Sequence, residues 1–490
     1  MSRDDSPFPG RLPIKLDATS NGEFAPIPLD AVHHHANRLA NEAADANARR
    51  LNLSRRRFLV SSAGAAATLL AFNNAYAMAK TRGGYFELPA EAGLDNGAAA
   101  ESLDKKEFIF DVQGHFVNPD GAWLERISPD ARPLRQMPKA GCALADKPGQ
   151  ANDKRSYLEC LGRDQFIKDV FMDSDTDMMV LSFIPSSRET EPLTIEEAAA
   201  TREIVAGMEG SHRLLIHGRV NPNQDGDIEF MDELARQWKV SAFKTYTQWG
   251  PGGTGFFLTD DVGIAFIEKA RKLGVKNIAI HKGLPFGRES YEHSTCRDIG
   301  PIASRFPDMN FLVYHSGFVP GQPEGEYDPK RSDGIDALIT SVLENDVANA
   351  NVYAELGSTW RYLLRDPDSA AHGLGKLFRY IGENNVLWGT DSIWYGSPQD
   401  QIQAFRTFQI SPAFRERFGY AAITPDVRAK VFGLNAMKPY GISAGEMQKR
   451  MAGDRVTANK LAYAENPDPH FRTYGPKTRR EFLNLLANGG

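Results

Sequence analysis

The stretch "FIFDVQGHFVNP", residues 108–119, decides how the chain is read. Apolar residues lead into Gln113 and His115, which lie two apart and so share one face of a strand. The loop that follows lacks the glycine-rich turn that an open, phosphate-binding sheet places after its first strand. Outward from this stretch, short apolar strands alternate with amphipathic helices. Strands are expected at 108–117, 177–185, 213–221, 241–248, 277–283, 310–317, 351–357 and 385–394. Between them, "IEFMDELARQWK" (228–239) and "DDVGIAFIEKARKLG" (260–274) carry i, i+3, i+4 apolar spacing. Strands linked by helices form a parallel sheet, and eight such units close naturally into a (β/α)8 TIM-type barrel. The expected α/β barrel spans 107–442, with an insertion at 118–160 over its carboxyl face and a helical extension at 443–490.

Composition excludes several classes. The 490 residues are 41% hydrophobic and 24% charged, with a net charge of -6. That is a globular balance with no basic surplus, so no nucleic-acid partner is expected. Cys142, Cys160 and Cys296 form no CxxC pair, which points to neither a zinc knuckle nor a disulfide framework.

The first 80 residues differ in kind. "SRRRFLVSSAGAAATLLAFNNAYAMA" (54–79) has an arginine cluster, an apolar run and a small-x-small end at Ala75-Tyr76-Ala77, the layout of an export signal. The run from Leu59 to Phe72 is short of the roughly 20 residues that span a bilayer, so no permanent membrane anchor is expected. A buried core helix is the structural alternative. Ser54-Arg55-Arg56-Arg57-Phe58-Leu59 resembles the twin-arginine signal, with Val60 in place of its lysine. The resemblance implies the twin-arginine export machinery as a partner, a periplasmic or secreted location, and a mature start near Met78 or Lys80. Residues 1–53, with "HHH" at 33–35, then read as a polar, disordered leader, and 80–106 as a linker.

Strand ends carry the chemistry. "DVQGH", "IAIHKG", "LVYHSG" and "LWGTDS" place His115, His281, His315 and Asp391 at carboxyl ends, where a barrel gathers its catalytic groups. Two histidines and a carboxylate with an open position make a common catalytic metal site. Singly, each would more often be structural, and Asp391 could merely cap a helix.

The order "DxQxH", "IAIHKG", "LVYHSG", "VLWGTDS", closed by "VFGLNAMKPYGI", resembles the amidohydrolase superfamily. The nearest branch is the one with aminocarboxymuconate-semialdehyde, dihydroxybenzoate and carboxyvanillate decarboxylases. The resemblance implies His115, His281 and Asp391 as ligands of one divalent ion, Zn or Mn. It implies His315 as the group that works as acid/base or polarises the substrate. Gln113 stands where relatives place the first histidine of H-x-H. It is either a weak ligand through its amide oxygen or a hydrogen-bonding neighbour of the site. Lys244 stands where binuclear relatives carry a carboxylated lysine; here it reads as a substrate-anion contact or a pair for Glu355. Tyr246, Trp249, Trp394 and Phe318 are candidates for an apolar substrate pocket. His217 is either a pocket residue or a satisfied core histidine. His212, His293 and His372 are assigned nothing.

The expected activity is hydrolysis of an ester, lactone or amide of a small organic molecule by an activated water, with Asp391 as base. Non-oxidative decarboxylation of an aromatic or enoic acid is the alternative, and an inactive binding barrel a third reading. A homo-oligomer is compatible with all three.

Overall fold

The computed structural model describes residues 11–126, 160–207, 212–285, 291–451, 454–479 and 482. Most of the expected excursion at 118–160 lies outside them. Eight strands form one sheet: β1 Phe110–Gly114, β2 Met178–Leu181, β3 Leu214–Arg219, β4 Ala242–Tyr246, β5 Asn277–His281, β6 Asn310–Tyr314, β7 Val352–Glu355 and β8 Val386–Leu387. Their spatial order is their chain order, and every neighbouring pair is parallel. The ends meet: Val112 N–H donates to Trp388 O at 3.0 Å, Asp391 N–H donates to Gln113 O at 3.0 Å, and Gly114 bridges Ser392. The sheet is thus a barrel, as the alternation of elements predicts.

Each strand lies within its predicted range, and β8 is much the shortest. Its ladder stops because the chain turns inward through Gly389 to Asp391, whose φ is 56°. A Cβ at Gly389 would fall 1.5 Å from Glu355 Oε1, so only glycine fits that turn. Phe110, Val112, Met178, Val180, Ala279, Leu312 and Tyr314 belong to one buried cluster. Between Asp111 and Gly114 the register of β1 shifts. Such a bulge re-aims side chains, and it brings Gln113 and His115 out together at the carboxyl end.

The polar leader is not disordered where the structure describes it. Residues 31–50 form α1 (Ala31–Arg50), capped by Asp30, whose side chain accepts from His33 N–H. The apolar run forms α2 (Ser62–Met78), started by Ser61 accepting from Gly64 N–H. Ala36, Ala40, Ala44 and Ala48 make a buried stripe on α1 at a spacing that puts them on one face. Against that stripe α2 buries Ala63, Ala66, Leu69 and Phe72 in the same core. A run that is apolar on all sides needs cover on all sides, and α1, the turn at Ala90–Gly93 and the helix Asn96–Leu103 supply much of it. Full burial of Leu69 and Phe72 is worth roughly 1.5–3 kcal/mol each. No described helix is long and apolar enough to cross a membrane.

Cys160 is disulfide-bonded, a bond that the cysteine spacing, which points to no disulfide framework, does not indicate. Cys296 is free and buried. Beyond the barrel, the C-terminal part contains helices Ala444–Met451 and Arg455–Ala464. Arg213 at the start of β3 ties the second of them down through Asp454, at 2.6 Å.

Candidate metal centre

Four strand ends converge. His115 Nε2 is 3.2 Å from Asp391 Oδ1, and the His281 and His315 rings meet edge-on with centroids 4.4 Å apart. Gln113 lies among them, its Nε2 at 3.1 Å from Asp391 Oδ1, 3.3 Å from His115 Nε2 and 3.5 Å from His315 Nε2. All five are buried.

Backbone carbonyls orient two of the rings. His115 Nδ1 donates to Ser182 O at 3.1 Å and His315 Nδ1 donates to Gly357 O at 2.6 Å. Engaging Nδ1 in both aims each Nε2 at the cluster, where its lone pair is available to a metal whenever that nitrogen is unprotonated. Glu355 holds the strand ends in place, accepting from His315 N–H at 3.0 Å and Gly357 N–H at 2.6 Å. His315 and Ser358 have φ of 65° and 53°. Non-glycine residues adopt such angles at a cost, and they concentrate at functional sites.

Electrostatics separate the groups. Burial opposes the charge of Asp391, yet His115, His315 and the Ser358 hydroxyl hold its carboxyl well below the usual carboxylate range. Burial lowers His315 to about 4, against the pull of Asp391, so its ring is neutral at pH 7. A neutral ring with Nδ1–H engaged presents Nε2 to the cluster as an acceptor, which is compatible with the acid/base or polarising role that the resemblance implies. Burial and the neighbouring His315 also keep His281 well below its ordinary value.

The structure adds residues that the sequence alone does not bring here. Glu23, from the leader, places Oε2 at 3.8 Å from His281 Nε2, and ligand atoms of Glu23, His281 and His315 lie within 4.8 Å of one another. Asn21 Nδ2 donates to Glu23 Oε2 at 2.7 Å and to Asp391 Oδ2 at 3.3 Å. Ser358 donates to Asp391 Oδ2 and bonds the Tyr395 hydroxyl at 2.7 Å. "TSNGEF" (19–24) carries a turn signal around Gly22, but no local pattern ties it to a strand end hundreds of residues away.

The remaining candidates are divided. Lys244 is fully buried, with Nζ 3.9 Å over the Tyr314 ring and 4.6 Å over Tyr246. It has no hydrogen bond among the described residues, and no ion pair with Glu355 forms there. Tyr246 stacks on His281 at 4.8 Å, its hydroxyl donating to Phe183 O at 2.8 Å. Trp394 stacks over His115 at 5.9 Å. Phe318 stacks on Tyr362 at 6.3 Å, beside the leader's Phe24. Trp249 is half-buried in the turn after β4, outside the hydrogen-bonded cluster. His217 takes the core alternative rather than the pocket one: its nitrogens engage Ser182 Oγ and Tyr440 OH, both at 3.1 Å.

The donor set fits a divalent ion. Among the described residues the ligand atoms near enough to share one ion here are those of Glu23, His281 and His315, with His115 and Asp391 paired beside them, and zinc and manganese both accept that mixture. Gln113 Oε1 is buried and without a hydrogen-bond partner among the described residues. A half-turn of the amide would aim that oxygen at the cluster in place of Nε2.

Comparison with known proteins gives a family and a set of folds. A family model described as amidohydrolase matches residues 169–442. Among solved structures, 5-carboxyvanillate decarboxylase from Sphingomonas paucimobilis is 15% identical, covering 69% of this chain and 100% of its own, with a TM-score of 0.42. The corresponding enzyme from Novosphingobium aromaticivorans, solved with manganese, is 14% identical over 69% of this chain and 97% of its own, with a TM-score of 0.44. A putative 2-pyrone-4,6-dicarboxylic acid hydrolase from Pseudomonas putida is 13% identical over 69% and 99%, with a TM-score of 0.39. No curated protein matches.

Proposed function

The chain belongs to the amidohydrolase family, and on that premise we propose that it is a metal-dependent hydrolase of an ester, lactone or amide. The observation that carries the reading is Asp391: a buried carboxylate kept ionised, 3.2 Å from a histidine nitrogen that faces the same space. His115, His281 and Asp391 would hold one divalent ion, zinc or manganese. When bound, such an ion supplies Lewis acidity to a water and to the substrate's carbonyl oxygen.

The chain's own residues do the rest. Asp391 accepts the water's proton as the oxygen attacks, and returns it to the leaving oxygen or nitrogen. Ser358 and Asn21 hold Oδ2, which directs Oδ1 toward the cluster. Neutral His315, facing in through Nε2, accepts a hydrogen bond from the water and orients it. Trp394, Tyr246 and Tyr314 wall the space with rings and exclude bulk water.

Decarboxylation of an aromatic or enoic acid is the second reading. Lys244 favours it, because a buried cation between two tyrosine rings offers a counter-ion to a substrate carboxylate. The Ser54–Leu59 motif supports the twin-arginine route and the disulfide at Cys160 suits an oxidising compartment, reached with the leader retained rather than removed. The test is purified protein, its metal quantified, incubated with lactones, aryl esters and hydroxybenzoates. Metal-dependent acid release from a lactone or ester is expected. Carbon dioxide release from a hydroxybenzoate, with no hydrolysis of any ester, would install the second reading instead.

A further inference from the structure

We propose that the N-terminal arm, residues 11–27, is a permanent part of the active site, with Glu23 supplying the metal centre with the second carboxylate that Gln113 denies it. The proposal rests on the metal-dependent reading above. It also means that the catalytic form is the unprocessed chain.

Three observations carry it. The first is position. Glu23 Oε2 stands 3.8 Å from His281 Nε2, and Asn21 bridges it to Asp391. Donor atoms of Glu23, His281 and His315 within 4.8 Å of one another need only a small inward movement to share one ion. The second is charge. The imidazoles and the amide around the site bring no negative charge, so Asp391 alone would leave a buried divalent ion with one uncompensated charge. Glu23 balances it once the ion displaces the proton that burial and the neighbouring Asp391 favour on its carboxyl, and a balanced buried site avoids the desolvation cost of a lone charge.

The third observation is how firmly the arm is seated. Lys15 Nζ donates to Tyr395 O at 2.8 Å and Ser397 O at 3.0 Å, in the loop that follows Asp391. Asp17 pairs at 2.7 Å with Arg361, a guanidinium only 1% exposed. Thr19 bonds Thr473 at 2.6 Å, its carbonyl accepts from Tyr362 OH at 2.6 Å, and Ser20 N–H donates to Pro476 O at 2.9 Å. Leu12, Ile14 and Leu16 are buried in the common core. Cleavage after Ala77 would remove all of these at once and strand Arg361 in the interior. The arginine pair is itself built into the fold: Arg55 bonds Asp45 and Asn41, and Arg56 bonds Asp468.

The test uses the full chain. Metal is stripped from wild type, Glu23→Gln and Glu23→Ala, folding is checked by circular dichroism, and zinc and manganese are titrated back calorimetrically. Loss of a ligand should weaken binding by more than the roughly 10–100-fold that neighbours of ligands cost. Adding Gln113→Glu to Glu23→Gln, which moves the carboxylate to β1, should recover affinity. Wild-type affinity in Glu23→Gln would overturn the proposal. Wild type that binds neither metal would overturn the metal-dependent reading instead. Intact mass of the active protein from its native compartment gives an independent measure. A chain containing Glu23 is expected, and a fully metallated, active chain starting near Met78 or Lys80 would refute the proposal even if the Glu23 variants fail to fold.

Discussion

Replacing Lys244 with methionine should change how stability depends on pH, by an amount that follows from its surroundings. The ammonium is buried with no hydrogen bond among the described residues, and two tyrosine rings give it only partial compensation. Burial lowers its pKa from 10.5 to about 7, against the opposing pull of Glu355, Glu23 and Asp391. The difference corresponds to about 5 kcal/mol at about 1.4 kcal/mol per unit. The sign is that of a base depressed by folding. Between about pH 7 and 10.5 the unfolded chain binds the extra proton, so folding becomes more favourable as pH rises through that window. Methionine is apolar and of similar length, and it removes the term. Urea unfolding of metal-free wild type and Lys244→Met at pH 7 and 9 isolates it, since other groups cancel in the difference. Wild type should gain about 2 kcal/mol relative to the variant between those values, and Lys244→Met should be the more stable of the two at pH 7. Parallel pH profiles would refute the reasoning, because they would mean that Lys244 keeps its charge through a partner or solvent.

Alanine at His115, His281 or Asp391 should abolish both metal binding and turnover, whereas Gln113→Ala should lose only about 10–100-fold in affinity if its amide merely positions Asp391 and the rings; metal analysis of each purified variant separates the cases. Ser358→Ala removes a hydrogen bond that favours ionised Asp391. The value of kcat/KM at neutral pH should therefore fall by about tenfold, and unchanged turnover would detach Ser358 from holding Asp391 in place. Asp17→Asn breaks the pair with buried Arg361 and should cost about 2 kcal/mol, less than a fully buried pair because Asp17 is partly exposed. The Asp17 carboxyl is held below its ordinary range against burial, chiefly by Arg361. Its stabilisation is thus present above about pH 4 and lost as pH falls below it, so thermal melts of wild type and variant should converge in acid.

The barrel and its strand-end residues were legible in the sequence because both depend on local periodicity. Period-2 alternation marks a strand, helical spacing marks the crossovers, and a polar residue closing a parallel strand can only lie at the carboxyl rim. His115, His281, His315 and Asp391 could therefore be grouped before any coordinate was known. The burial that keeps His315 neutral, and the carbonyls of Ser182 and Gly357 that orient the His115 and His315 rings, depend on neighbours from other strands and are not written in any single stretch. The leader separates the two kinds of information most sharply. Its apolar, small-residue run encodes that α2 must be covered, but a translocation apparatus and the alanine stripe of α1 satisfy that demand equally. Only the packed chain places α2 against α1 and carries Asn21 and Glu23 to Asp391 and His281. Those contacts join residues hundreds of positions apart, and no periodic pattern records a pairing that exists only once the barrel has closed.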